Sequence, residues 1–311
     1  MPQDKDIKRI IFGAIMKKLY FSFLILNFSF LILNFHSAHA YLKAKVVTVI
    51  YGEEKIGAFN QPQSVYFDEK RGRLYVVDTL NNRLISYDKN YKFLSQFNAE
   101  GRLKVPVSML KDKNGHLIVT NKGEGGVLII YLKEKLIKTI DFKGIFPRPV
   151  PSYLALDEDG HLYILDQAYK RILIFSPKNG DYKFLKAIKE PRCAGFSDIK
   201  IFDRHIYALD SLLAKVFVYD QEGRLVRSIA LRSLRFPVSL ALDRYGRLYI
   251  LDGHQGKVFI FKESGEVIGE IGRGGWKEGR LYYPRYLLFD KENRLYVVDT
   301  GNNRVQVFKI K

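Results

Sequence analysis

Five cations, Lys104, Arg148, Arg192, Arg235 and Arg285, each stand beside or within two residues of a proline, and two tyrosines, Tyr153 and Tyr286, follow close behind two of them. Guanidinium and ammonium groups bind carboxylates and phosphates through charge-assisted hydrogen bonds, and tyrosine faces take sugar rings or peptide side chains. These seven residues are the candidate ligand-binding set. A second set pairs an acid with a cation five residues on: Asp78 with Arg83, Asp166 with Arg171, Asp210 with Lys215, Asp252 with Lys257, and Asp299 with Arg304. Asn121 and Gly126 hold the corresponding positions and lose both charges at once. Joint loss assigns these pairs to bracing a loop rather than to meeting a ligand. A third set is Arg73, His116, His161, His205, Arg247 and Arg294. Its three histidines lie whole repeats apart, and a zinc ion needs ligands about 2 Å from a common point, so solvated positions are expected. No paired carboxylates, histidine cluster, Gly-Lys-Ser phosphate loop or serine elbow is visible. No catalytic residue, metal ligand or cofactor is therefore assigned.

The elements that must carry these residues are read from a repeat. Runs like Leu-Tyr-Val-Val-Asp end at Asp78, Asn121, Asp166, Asp210, Asp252 and Asp299, a spacing of 42 to 47 residues. A period in the forties made of short apolar runs means propeller blades. Within one unit, strands are predicted over 239–242, 248–251, 258–261 and 267–271, separated by Gly- and Asp-rich turns. Six such units give an all-β, six-bladed propeller of four-stranded antiparallel blades. The final repeat stops at its third strand, while Ala44 to Gly52 has the fourth-strand pattern. This N-terminal strand is expected to join the last blade and close the ring, which removes both edges. On such a ring the connections from second to third strand and from blade to blade open on one face, here the upper face, where the five cations and two tyrosines fall.

The stretches Asp299-Thr300-Gly301-Asn302-Asn303-Arg304-Val305 and Asp78-Thr79-Leu80-Asn81-Asn82-Arg83-Leu84 resemble the NHL-repeat family of six-bladed propellers. The resemblance is close in the first and last repeats and weaker in the second and fourth, where Asn121, Gly126 and the missing proline near Cys193 depart from it. It implies three functional classes. Some relatives are metal-dependent lyases with histidines or carboxylates converging on the axis, and the upper connections here supply mainly arginine, glutamine and proline. Some intracellular NHL propellers hold RNA on a basic face. Others are non-catalytic binding modules.

Residues 1–40 read as a signal peptide: Met16-Lys17-Lys18, an apolar stretch from Leu19 to Phe35, then His36-Ser37-Ala38-His39-Ala40. The long leader points to Met16 as the translation start, and an uncleaved anchor is the competing reading. Residues 41–311 form the propeller, with export to the periplasm or the outside of the cell. Export argues against nucleic acid as partner and limits membrane contact to the signal segment, if uncleaved. The single cysteine, Cys193, allows no internal disulfide. The chain carries +18, of which +15 remains on residues 41–311. Such a balance favours polyanions. The expected function is an exported, monomeric binding or scaffold module that recognises an acidic protein surface or an anionic envelope polymer through its basic upper face. The alternative is a metal-dependent lyase or lactonase, and RNA binding comes third.

Overall fold

The computed structural model describes residues 44–310. The expected signal peptide and Met16 start fall outside these residues.

Apolar runs rich in β-branched and aromatic residues fold as strands that neighbouring sheets bury on both faces. Leu74, Val76 and Val77 in one repeat and Leu295, Tyr296, Val297 and Val298 in another are fully buried. Six four-stranded antiparallel sheets result. Blade 1 runs Ser64–Asp68, Arg73–Asp78, Arg83–Tyr87 and Phe93–Phe97. Blade 2 runs Pro106–Lys111, Leu117–Asn121, Gly126–Tyr131 and Leu136–Thr139. Blade 3 comprises Pro151–Leu156, Leu162–Asp166, Arg171–Lys178 and Asp181–Lys189. Blade 4 comprises Phe196–Phe202, His205–Asp210, Lys215–Tyr219 and Leu225–Ala230. Blade 5 is Pro237–Leu242, Leu248–Asp252, Lys257–Phe261 and Val267–Ile271, within two residues of the sequence reading.

Blade 6 takes Tyr286–Phe289, Arg294–Asp299 and Arg304–Ile310 from the end of the chain and Ala44–Ile50 from its beginning. The closing strand pairs antiparallel with Arg304–Ile310, from Ala44 opposite Ile310 to Ile50 opposite Val305, with one bulge between Val46 and Thr48. Ring closure by the N-terminal strand is therefore as expected. A small hairpin, Gly52–Glu53 with Gly57–Ala58, leads from this strand into blade 1 and had no clear pattern in the sequence.

The core lies between blades rather than within them. One apolar cluster joins residues as distant as Ile50, Tyr87, Tyr163, Phe217 and Val305, and four more fill the remaining blade interfaces. Each fully buried Leu, Ile or Val contributes roughly 1.5–3 kcal/mol, so stacking of second and third strands dominates stability. Outer strands are the exposed ones, as in Phe93–Phe97, where only the ends are half-buried. Among the described residues no helix is long and apolar enough to cross a membrane.

Candidate binding site at the axial mouth

The first strand of each blade starts at the upper end of the ring, and five of the six first strands have a proline at or just before that start. The following residue turns toward the axis, so Gln63, Val107, Ser152, Ser197, Val238 and Arg285 rim one opening. The cavity there has a volume of about 540 Å³, and Lys122, Gln167, Lys170 and Ser211 from the second-to-third-strand connections complete its wall. Its charged lining residues are Lys122, Lys170 and Arg285 alone, and no carboxylate, histidine or thiol lines it. A site with three cations and neutral amides and hydroxyls is set up to take an anion.

The opening is a cup rather than a tunnel. Tyr153 and Tyr286 come from blades 3 and 6, opposite each other on a six-membered ring, and their rings stack at 5.5 Å with an interplanar angle of 12°. Lys200 Nζ sits 4.1 Å from the centre of the Tyr286 ring. Asp198 holds that ammonium at 2.7 and 2.6 Å. The same carboxylate accepts hydrogen bonds from Ser239 Oγ at 2.5 Å and the Leu240 amide at 3.0 Å. Ser239 Oγ in turn accepts from the Leu287 amide at 3.0 Å, which ties blades 4, 5 and 6 together. Burial drives the pKa of both tyrosines upward, and the Asp198 charge adds to it. The hydroxyls are therefore neutral donors. Burial also lowers the Lys200 pKa, with Asp198 opposing it.

The ring explains why tyrosines stand there. At the same strand position blades 1, 2, 4 and 5 carry Ser64, Ser108, Asp198 and Ser239, short side chains that bond to a neighbouring blade. A tyrosine is too long for that bond, and two of them from opposite blades meet across the axis instead.

Of the residues expected to form the mouth, Tyr153 and Arg285 line the cavity and Tyr286 completes its floor. Lys104, Arg148, Arg192 and Arg235 do not line it and are exposed on the surrounding connections. Arg192 is bound to Glu190 at 2.7 Å, and that bond holds the Glu190 carboxyl below its usual range. Arg148 lines a separate crevice of about 600 Å³ beside Gly126, Phe142 and Phe146. Lys122, Lys170 and Gln167 were missed by sequence reasoning. For Lys122 and Gln167 the signal was a break in the repeat. Thr79, Ser211 and Thr300, each one residue past its anchor acid, donate hydroxyl hydrogen bonds to Pro106, Pro237 and Pro62 of the next blade. Lys122 and Gln167 occupy that position and reach the mouth instead.

The anchor residues, five acids and Asn121, are loop braces in every blade. Their side-chain oxygens accept amide hydrogen bonds from the entering blade-to-blade connection: Asn60 to Asp78, Lys104 to Asn121, Val150 to Asp166, Ala194 to Asp210, Arg235 to Asp252 and Tyr282 to Asp299. Arg83, Arg171 and Arg304 then close on Asp78, Asp166 and Asp299 at 2.7 Å. The two lysine pairs differ from the sequence expectation. Lys215 forms no ion pair with Asp210 among the described residues, and Lys257 turns to Glu270 at 2.9 Å. A lysine lacks the branched guanidinium that spans carboxylate and loop carbonyls together, as Arg83 does with Asp78 and Ile56. In blade 2 the polarity is reversed: Asn121 Nδ2 donates to Glu124 at 3.1 Å, where Asn81 and Asn302 donate to Asp78 and Asp299.

The lower face also departs from expectation. His116 and His161 are not free in solvent but meet Asp112 and Asp157 at 2.9 Å, and Arg247 and Arg294 meet Asp243 and Asp290 at 2.6 Å. Each acid begins a turn and accepts the amide four residues on, as Asp157 does from His161 at 2.7 Å. Among the described residues one group, Asp157, Asp159 and His161, has metal-ligand proximity. It belongs to this turn, and its Asp157 is already engaged by His161 and by the Tyr163 hydroxyl at 3.0 Å. Cys193 is buried, and burial together with Asp210 pushes its thiol up to about 12, which leaves it protonated and inert.

Residues 281–308 match the NHL repeat family model. The sequence itself matches no curated protein. The fold is similar to an auxiliary nutrient binding protein from Bacteroides ovatus, at 13% identity and a TM-score of 0.64, over 87% of this chain and 77% of that one. It is also similar to virginiamycin B lyase from Staphylococcus aureus, a catalytically inactive variant with quinupristin, at 13% identity and a TM-score of 0.61 over 80% of each chain. A gluconolactonase from Xanthomonas campestris shares 11% identity at a TM-score of 0.63, over 87% of this chain and 97% of that one. At these identities the likeness concerns the fold.

Proposed function

Starting from a six-bladed β-propeller with an NHL repeat in its last blade, we propose that this chain is a non-catalytic binding module whose upper face recognises an acidic protein surface or an anionic polymer. A carboxylate or phosphate of the ligand enters the axial mouth. The observation that carries this reading is the lining itself: Lys122, Lys170 and Arg285 with no acid among them. The neutral tyrosine floor supplies hydroxyl donors and an apolar base. The same donor set does not fit a divalent cation, and Asp198, the acid nearest the floor, is occupied by Lys200, Ser239 and Leu240. A lyase or lactonase reading therefore finds no metal ligands at the mouth. Together with the signal-like residues 1–40, the reading places the module outside the cytoplasm, as a monomer in an envelope or extracellular setting.

The test is calorimetric titration with a short polyglutamate peptide and with tripolyphosphate as probes. Saturable, salt-sensitive binding that weakens about tenfold or more in Arg285→Ala, equivalent to about 1.4 kcal/mol, supports the reading. Unchanged affinity in that variant sinks it. Elemental analysis of the purified protein addresses the alternative, since one stoichiometric zinc or calcium per chain would turn the argument toward a metal-dependent enzyme.

A further inference from the structure

Eleven of the exposed large apolar side chains lie on upper connections, and two, Leu132 and Tyr245, lie on lower turns. The most exposed of the eleven are Phe146 at 81%, Trp276 at 74%, Leu212 at 70% and Tyr283 at 53%. They are loop tips on three upper connections, 140–150, 211–214 and 272–285, not the walls of one groove. In four connections an apolar tip stands next to, or one proline away from, a cation, giving five pairs: Lys104 with Val105, Phe146 with Arg148, Tyr169 with Lys170, and, on the long connection 272–285, Trp276 with Lys277 and Tyr283 with Arg285.

From this arrangement we propose that the upper face docks on the surface of a bilayer containing anionic lipid. The proposal rests on the reading of the upper face as the anion-binding face and names the surface that supplies the anions. It extends membrane contact beyond the signal segment, to which the sequence confined it. A folded protein partner that buried all of these tips would have to gather them into one continuous apolar centre enclosed by a polar rim. The tips here are instead dispersed around the mouth, and a flat, fluid headgroup layer meets all of them at once. Tryptophan and tyrosine settle at the boundary between headgroups and acyl chains. Apolar tips enter that boundary by about 5–10 Å, and the adjacent cations stay level with the lipid phosphates. The lower face offers less of both, with two exposed large apolar side chains, Leu132 and Tyr245, against eleven above, acids that outnumber its cations, and arginines and histidines that are largely paired.

Trp276 is the chain's only tryptophan, so its fluorescence reports the upper face alone, even where Leu19 to Phe35 also partitions. The full chain is mixed with phosphatidylcholine vesicles and with vesicles containing phosphatidylglycerol, each with or without lipids brominated along the acyl chain. The expected result is a blue shift and bromine quenching with the anionic vesicles, at least tenfold weaker with the neutral ones. The triple variant Phe146→Ser, Leu212→Ser, Tyr283→Ser shifts the midpoint at least tenfold, whereas Tyr245→Ser leaves it unchanged. Unquenched Trp276 on anionic vesicles, or a triple variant that behaves as the parent, overturns the proposal. If polyglutamate still binds through Arg285 in that case, the mouth reading survives and only the membrane is lost. Quenching without any polyglutamate binding supports the membrane and removes the mouth's acidic-protein reading.

Discussion

The upper and lower faces of this propeller are both made of connections between the same strands, yet they use charge in opposite ways. The upper connections, 51–63, 79–82, 98–105, 122–125, 140–150, 167–170, 190–195, 211–214, 231–236, 253–256, 272–285 and 300–303, hold fourteen lysines and arginines against seven acids. The lower turns, 69–72, 88–92, 112–116, 132–135, 157–161, 179–180, 203–204, 220–224, 243–247, 262–266 and 290–293, hold thirteen against fifteen. Below, an acid opens most turns and captures the amide and often the cation four residues later, as in Asp243 with Arg247. Above, the acids that matter structurally are buried at strand ends, so Arg285, Lys122 and Lys170 have no acidic partner among the described residues. Turn chemistry consumes charge on one face and leaves it available on the other.

The comparison presupposes a closed ring, and breaking the ring has the largest expected effect. Deleting Tyr41 to Tyr51 removes the strand paired with Arg304–Ile310 and is expected to lower Tm by roughly 10 °C or more. Unchanged melting would refute closure as the latch. Arg171→Ala is next. It strands the buried Asp166 carboxylate and frees the Phe146 carbonyl, at a cost of about 3–5 kcal/mol. Arg247→Ala on the lower face removes a half-exposed partner of the buried Asp243, which keeps the Tyr245 and Arg247 amides and the Tyr249 hydroxyl as donors, and costs less, about 1.5–3 kcal/mol. Chemical denaturation of the two variants side by side checks the ratio. Equal losses would erase the contrast between buried brace and surface turn.

A smaller effect concerns pH. Burial opposes ionisation of Asp252, but amides of Gln255, Arg235 and Phe236 overcome it and hold its pKa below the usual carboxylate range. A lowered folded pKa stabilises the fold above the unfolded value and loses that contribution as pH falls through the folded one. The Tm gap between parent and Asp252→Asn is therefore full near neutrality, starts to close below about pH 4, and vanishes in stronger acid. A gap that widened in acid would reverse the assignment. Arg285→Ala is expected to leave Tm within about 1–2 °C of the parent, since an exposed surface side chain rarely changes stability by more than about 0.5 kcal/mol.

Much of this was legible because a propeller repeats its sequence with its structure. The anchor residues, five acids and Asn121, located every second strand, and Ala44 to Gly52 declared itself by matching a fourth strand that the last repeat lacked, observed as Ala44–Ile50. Brace and mouth were harder to separate. Arg171 and Arg285 are equally basic in sequence, but one points into a buried carboxylate and the other into the axial cup. Lys122 and Lys170 escaped notice because their connection was read as bracing alone. Lys104 and Arg235 fell outside the cavity because they precede the proline whose successor faces the axis, and Arg148 did so because two further prolines, Pro149 and Pro151, stand between it and Ser152. Tyr153 and Tyr286 were placed at the mouth, but their stacking required knowing that blades 3 and 6 face each other.

The central claim is that the upper mouth, and not the basic chain as a whole, receives anions. Amide and side-chain chemical shifts of the isotopically labelled protein, followed during titration with short polyglutamate, test it directly. The account predicts saturable shifts around Gln63, Ser152, Gln167 and Arg285, with the lower turns at Asp112, Asp157 and Asp243 unmoved. Shifts spread evenly over both faces, or concentrated on the lower turns, would contradict it.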